Sequence, residues 1–211
     1  MYLIRIALDK KKKHTQLALN NPNLFHGAIE HTFKNQEERK LWRVDTLRGK
    51  SYLMIVSQTT PDLSSLIWQY APEGSQAEVK DYDILLDRIK NGDTYYFKLC
   101  ADPTRCRPIR EGQKRGTLYS CNTKETQKDW LINKSKICGF EIQENNFQIL
   151  SSRKIQFAKG QQENRIDVKM NVVTYFGILK VTDAETFKKA LTGGIGRRKA
   201  FGTGMITIAR S

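Results

Sequence analysis

At 211 residues the chain is long enough for one large domain or two small ones, and its 39% of hydrophobic residues fall in periodic runs, so a folded protein is expected. Lys and Arg number 36 against 22 Asp and Glu, for a formal net charge of +14. That excess favours a polyanionic partner, nucleic acid ahead of a membrane surface, and no apolar run approaches the ~18 residues that a membrane span requires.

Four cysteines (Cys100, Cys106, Cys121 and Cys138) are irregularly spaced with no CxxC pair, which gives zinc and redox motifs no support. A short apolar run precedes the first charges, the reverse of a secretory leader, so the expectation is a cytoplasmic protein with reduced thiols. In chain order, residues 2–8 alternate and predict a strand. The Lys10–Lys13 run reads as a loop, either solvated or in contact with phosphate. Asn21 is a good N-cap and Pro22 suits the first helical position. Leu24, Phe25, Ala28, Ile29, Thr32 and Phe33 then form one stripe of a helix running to about Lys34. Residues 41–45 and 51–58 predict two strands joined by a loop containing Gly49. A break at Thr60-Pro61-Asp62 precedes a helix through Leu63, Leu66, Ile67 and Tyr70, and a strand-like or irregular stretch covers 77–84.

A second pass of the same kind begins at a strand over 94–100. Residues 101–123 have no apolar period and carry Pro103, Pro108, Gly112 and Gly116, which predicts a long functional or disordered loop. A helix follows over 124–137, stopped by Gly139, then strands near 140–143, 147–157 and 167–181. Asp183 caps a helix over 184–192, and 204–211 is a last strand. Both passes read β-α-β-β-α-β, so the expected class is α+β with two tandem ferredoxin-like domains, 1–90 and 94–211.

Segment 193–204, GGIGRRKAFGTG, is the most distinctive stretch. Gly193, Gly194, Gly196, Gly202 and Gly204 leave backbone N–H groups accessible, and Arg197, Arg198 and Lys199 add charge, a combination suited to phosphates. The P-loop spacing is absent. A tight helix-to-strand connection is the alternative reading.

This loop, followed by a hydrophobic strand, resembles the signature of the RAMP superfamily of CRISPR proteins. The whole chain resembles the CasE family, the repeat endoribonuclease of type I-E systems, through MYLIRI, NPNLFH, KLWRVD and GIGRRKAFGTGMITIA in that order. The resemblance implies two tandem ferredoxin-like domains and binding of the CRISPR repeat RNA stem-loop. It implies a cut on the 3′ side at the base of the stem with no metal or other cofactor. It also implies retention of the mature CRISPR RNA in the Cascade complex, with the other Cascade subunits as partners.

Metal-free RNA cleavage uses the 2′-hydroxyl as nucleophile and leaves a 2′,3′-cyclic phosphate, so proton transfer falls to side chains, histidine above all. His14, His26 and His31 are the three histidines. Helical spacing leaves Asn23, His26, Gly27, Glu30 and Lys34 on the polar side of the helix, with His26 near the edge of that side and so not committed to the core. A lone histidine on such a face is ordinarily inert; the resemblance, which matches His26 to the family's catalytic histidine, makes it the expected proton-transfer residue. It would act as the acid on the 5′-oxygen or, alternatively, as the base. Some relatives carry a tyrosine at the position of Asn23, which here is expected to orient a phosphate oxygen but cannot act as a tyrosine. Some also carry a lysine at the position of His31, which is expected to be a phosphate contact or a structural residue rather than a direct partner. His14, beside the lysine run, is an expected phosphate contact. Arg105, Arg107, Arg110, Lys114 and Arg115 stand against the single acid Glu111 in the 105–115 loop, which in the family grips the RNA stem. A non-catalytic RNA-binding scaffold, as in many RAMP proteins, is the second reading.

Overall fold

A computed structural model describes residues 1–33, 37–106, 116–160 and 165–210. The chain forms two compact units, Met1–Arg88 with Phe157–Val168 and Lys199–Gly202, and Ile89–Gln156 with Lys169–Arg198 and Thr203–Ser211.

In the first unit, the alternation of YLIRIA buries Ile4 and Ile6 completely and makes Tyr2–Ala7 strand β1. Helices α1 (Lys13–Asn20) and α2 (Pro22–Thr32) follow, then strands β2 (Leu41–Leu47) and β3 (Lys50–Ser57). Arg48 and Gly49 join these two strands, both at positive φ, the geometry of the tight turn that matches strand twist. Helix α3 (Ser64–Tyr70), strand β4 (Glu78–Asp81) and the short α4 (Asp83–Leu86) complete the run. The sheet order is β2-β3-β1-β4, antiparallel throughout, with α1 and α2 together standing where one helix was expected. Ile4, Ile6, Phe25, Ile29, Phe33, Leu53, Ile55, Leu66 and Tyr70 form its core.

The second unit runs β5 (Thr94–Ala101), β6 (Thr104–Cys106), β7 (Leu118–Ser120), α5 (Lys124–Ile137), β8 (Phe140–Glu141), a 3₁₀ turn at Glu144–Asn146, β9 (Phe147–Lys159), β10 (Ile166–Val181), α6 (Ala184–Gly193) and β11 (Ile206–Arg210). Its sheet is ordered β11-β5-β10-β8, with β9 also on β10. Both sheets thus follow the order last, first, third, second, the ferredoxin-like pattern, and the fold is α+β with two such arrangements in tandem.

Local signals place the starts of α2, α5 and α6. The Asn21 side chain accepts from the Asn23 N–H, Thr123 and Thr126 form a capping box, and Asp183 accepts from Thr186 N–H. Three expectations need correction. The lysine run does not stay a loop throughout, because Lys13 opens α1. That helix lacks an apolar stripe and buries only Thr15 and Ala18. Leu24 is 41% exposed and so does not join the stripe that buries Phe25, Ile29 and Phe33. Within the expected 101–123 loop, β6 and β7 pair as an antiparallel ladder, Thr104 opposite Ser120. Among the described residues no helix is long and apolar enough to cross a membrane.

Candidate active site

Because α2 starts at a fixed point, set by Asn21 and Pro22, its register turns Phe25 and Ile29 into the core and carries His26 to the core's edge. Phe25 packs on Trp42 and Tyr70, with ring centroids at 5.7 and 4.8 Å. The His26 side chain is 25% exposed. Its ring meets Phe201 edge-on, with centroids at 6.2 Å and planes at 80°.

Phe201 closes a 3₁₀ turn, Lys199–Phe201, in the first unit. Trp42 Nε1 donates to the Ala200 carbonyl at 3.2 Å, and Phe157 packs edge-on against Phe201 at 5.0 Å. Lys159 Nζ lies 5.9 Å from the Phe201 ring centre. The next residue, Gly202, has φ +77°, and a Cβ there would come within 2.8 Å of the Trp42 ring. Gly202→Ala is therefore expected to cost about 1–2 kcal/mol in backbone strain and crowding. It should also loosen Phe201 from His26, so a lower melting temperature and a lower cleavage rate should appear together.

One helical turn beyond His26, Glu30 places Oε1 at 3.8 Å from His26 Nδ1, while its Oε2 accepts from Lys40 Nζ at 2.8 Å. Lys40 is a buried cation, and Glu30 is its counter-ion. Burial lowers the His26 pKa below its ordinary value; Glu30 opposes this shift, and Lys159 and Lys40 reinforce it. The imidazole of the free protein is accordingly neutral at neutral pH and able to accept a proton, and once protonated it is a stronger acid than an ordinary histidine. Because kcat/KM reports the free enzyme, its pH profile is expected to bend below about pH 6.5. A limb rising with pH to that bend identifies a base, and one falling beyond it an acid. A bend above pH 7 would contradict the neutral imidazole.

The other expected site residues fall in several places. Asn23 is half-buried in the first turn of α2, His31 is exposed in its last turn, and His14 is exposed on α1. Lys199 lies in the turn that ends at Phe201. Gly194 and Gly196, both at positive φ, belong to the second unit with Arg197 and Arg198. Gly194 is the C-cap of α6, and Gly196 lies close to the Trp130 ring. Arg197 is exposed, with no ion-pair partner among the described residues. Arg198 donates through Nη1 to Asp102 Oδ2 at 2.9 Å and to the Lys169 carbonyl. Arg105 pairs with Asp129 at 2.9 Å, both exposed, while Arg107, Arg110, Lys114 and Arg115 lie outside the described residues. Near β7, Lys154, Lys169, Asn122 and Asn171 help line an open cavity of about 390 Å³.

Phe201, Glu30, Lys40 and Lys159 act directly on His26, Trp42 holds the Phe201 turn through the Ala200 carbonyl, and sequence reasoning did not single them out as site residues. Trp42 and Phe201 sit inside the family-like segments KLWRVD and GIGRRKAFGTG, which was the available signal. Lys159 carries no local signal.

The profile of one family, described as CRISPR associated protein, matches residues 1–210. The chain belongs to that CRISPR-associated family. This CRISPR-associated protein is 24% identical over 220 residues to the CRISPR-associated endoribonuclease Cse3 of Thermus thermophilus, across 99% of this chain and 100% of the relative. Among solved structures it resembles a CRISPR endoribonuclease Cse3 bound to 19 nt RNA, with a TM-score of 0.80, 24% identity and coverage of 99% and 100%. It also resembles a chain of a CRISPR RNA-guided surveillance complex in a pre-nicking state, with a TM-score of 0.68, 17% identity and full coverage of both chains. At these identities the two structural likenesses establish the fold.

Proposed function

We propose that this protein is a metal-independent endoribonuclease that binds the stem-loop of CRISPR repeat RNA and cuts it on the 3′ side at the stem base. It then stays on the mature RNA as a subunit of the Cascade surveillance complex. The carrying observation is His26, a half-buried imidazole held between Phe201 and Glu30 with the Lys159 cation in the same unit, in a chain of a CRISPR-associated family. The name of the Thermus relative, an endoribonuclease, and the RNA and surveillance-complex assemblies of the structural neighbours agree with it.

In the reaction the 2′-oxygen attacks the adjacent phosphorus and the bond from phosphorus to the 5′-oxygen breaks. The 2′-proton leaves to a base, and the 5′-oxygen takes a proton from an acid. His26 serves one of these proton transfers, and Lys159 offsets the charge that develops on the phosphorane. Asn23 and His31 orient phosphate, and the exposed Arg197 with Arg105 and its loop holds the stem backbone. Arg198, already engaged by Asp102, acts chiefly as an anchor of the glycine segment. Every group in this scheme is a side chain or the RNA itself, so cleavage of a synthetic repeat hairpin should proceed in EDTA. The upstream product should end in a 2′,3′-cyclic phosphate, which resists phosphatase until acid opens it. Cleavage that stops in EDTA and returns with magnesium would overturn the metal-free scheme.

One observation favours a second reading. Asn23 cannot relay a proton as the tyrosine of some relatives would, so tight hairpin binding with no cut would identify a non-catalytic RNA-binding scaffold.

A further inference from the structure

Away from His26, the first unit carries an exposed tryptophan beside a run of lysines. Trp68 on α3 is 79% exposed, the most exposed large hydrophobic residue among the described ones. Its neighbours Leu66 and Tyr70 are buried and already hold α3 to the core, so the indole is not needed for packing. Lys12 Nζ donates to the Trp68 carbonyl at 2.6 Å, which ties the lysine run to this end of α3.

The run is an ordered turn over residues 10–12 that leads into α1 at Lys13. Lys11 N–H is held by Asp9 Oδ1 at 2.8 Å, Lys12 N–H by the Asp9 carbonyl at 3.2 Å, and the Lys10 carbonyl by Gln16 Nε2 at 3.0 Å. The Asp9 N–H donates to the Tyr70 carbonyl at 2.8 Å, a second tie to α3. Lys10, Lys11 and Lys13 are exposed and have no ion-pair partner among the described residues. An exposed aromatic face tied to a stretch of ordered backbone that carries exposed cations suits a nucleic-acid strand whose bases are free to stack and whose phosphates lie alongside. A duplex stem offers its backbone but keeps its bases stacked inside, so it would leave the indole unused. An apolar protein surface would gain from Trp68 but would have to desolvate the lysines.

We propose that Trp68 and the Lys10–Lys13 run form a second RNA-binding surface, which stacks an unpaired base and holds the backbone of single-stranded RNA flanking the repeat stem-loop. The proposal rests on the reading of the protein as a repeat-RNA binder, which it deepens.

The test compares a bare repeat hairpin with the same hairpin carrying single-stranded flanks, and adds an unstructured RNA oligonucleotide as a third ligand. The proteins are wild type, Trp68→Ala and the triple variant Lys10→Ala/Lys11→Ala/Lys13→Ala. Wild type should bind the flanked hairpin more tightly than the bare one, and Trp68→Ala should lose about 5- to 50-fold of affinity for the flanked RNA only. The triple variant should lower the slope of log affinity against log salt by about 2, at ~0.7 per released contact on single strands. The intrinsic fluorescence quenched by the oligonucleotide in wild type should be absent in Trp68→Ala. Equal affinities of wild type and Trp68→Ala for the flanked hairpin would overturn the proposal. So would loss of a Cascade-subunit contact in Trp68→Ala with unchanged RNA affinity, which would assign the surface to protein. The oligonucleotide arm separates the two readings: if no hairpin binds, the repeat-RNA reading fails, while quenching by the oligonucleotide still reports on Trp68.

Discussion

His26→Ala is expected to slow cleavage of a repeat hairpin by about 10²- to 10⁴-fold, the usual worth of a positioned proton-transfer group, with hairpin affinity nearly unchanged. The split between rate and binding follows from where His26 sits. Its side chain is three-quarters covered, by Phe201 among others, and its Nδ1 is 3.8 Å from Oε1 of Glu30, whose other oxygen is engaged by Lys40. So placed, it is poorly suited to hold phosphate as a surface cation and well suited to one proton transfer in a partly desolvated setting. Truncation leaves Phe25 and Ile29 as the buried anchors of α2. Single-turnover cleavage and filter binding on the same preparation separate the two effects, with His26→Gln as a control that restores bulk without the titrating nitrogen pair. Wild-type cutting by His26→Ala would withdraw the assignment.

The largest stability effect should come from Asp102→Ala, expected to cost about 3 kcal/mol and to lower the melting temperature by roughly 6–12 °C. Asp102 is fully buried and accepts from the Asn171 N–H at 3.0 Å and from Arg198 Nη1 at 2.9 Å. Burial pushes its carboxyl pKa up, while Arg198 and the Asn171 N–H hold it down. Alanine removes the acceptor from a buried N–H and the counter-charge from a guanidinium that also holds the Lys169 carbonyl. Arg198 itself stands at a φ of +57°, an uncommon conformation for a residue with a side chain, and the Thr203 hydroxyl donates to the Arg197 and Arg198 carbonyls at 2.9 Å. Losing Asp102 therefore releases a strained loop as well as two hydrogen bonds. Arg198 is partly exposed, so water recovers some of its solvation, which keeps the expected cost below that of a wholly buried pair. Thermal and urea unfolding check this, and Asp102→Asn should fall between the two. An unchanged melting temperature in Asp102→Ala would refute the structural role given to the pair.

Helices whose starts are written in neighbouring residues were legible in the sequence. Asn21-Pro22, Thr123 and Asp183 work through hydrogen bonds two or three residues long, so reading along the chain finds them. Strand alternation in YLIRIA and the apolar run of β3 were equally local. Helix α1 was not legible, because what holds it is distant: Thr15 is buried with its hydroxyl donating to the Tyr70 carbonyl, and Ala18 is too small to mark a stripe. The same division holds at the site. Residue order alone determined two ferredoxin-like arrangements, a strongly basic chain and a histidine in a family-like helix, since each follows from periodicity, counting or a contiguous motif. Only the tertiary structure decided how deeply His26 is buried, and that Phe201, Lys159 and Lys40 act on it. Burial, desolvation and edge-on ring packing depend on segments far apart in the chain meeting in space, and no local pattern encodes that meeting.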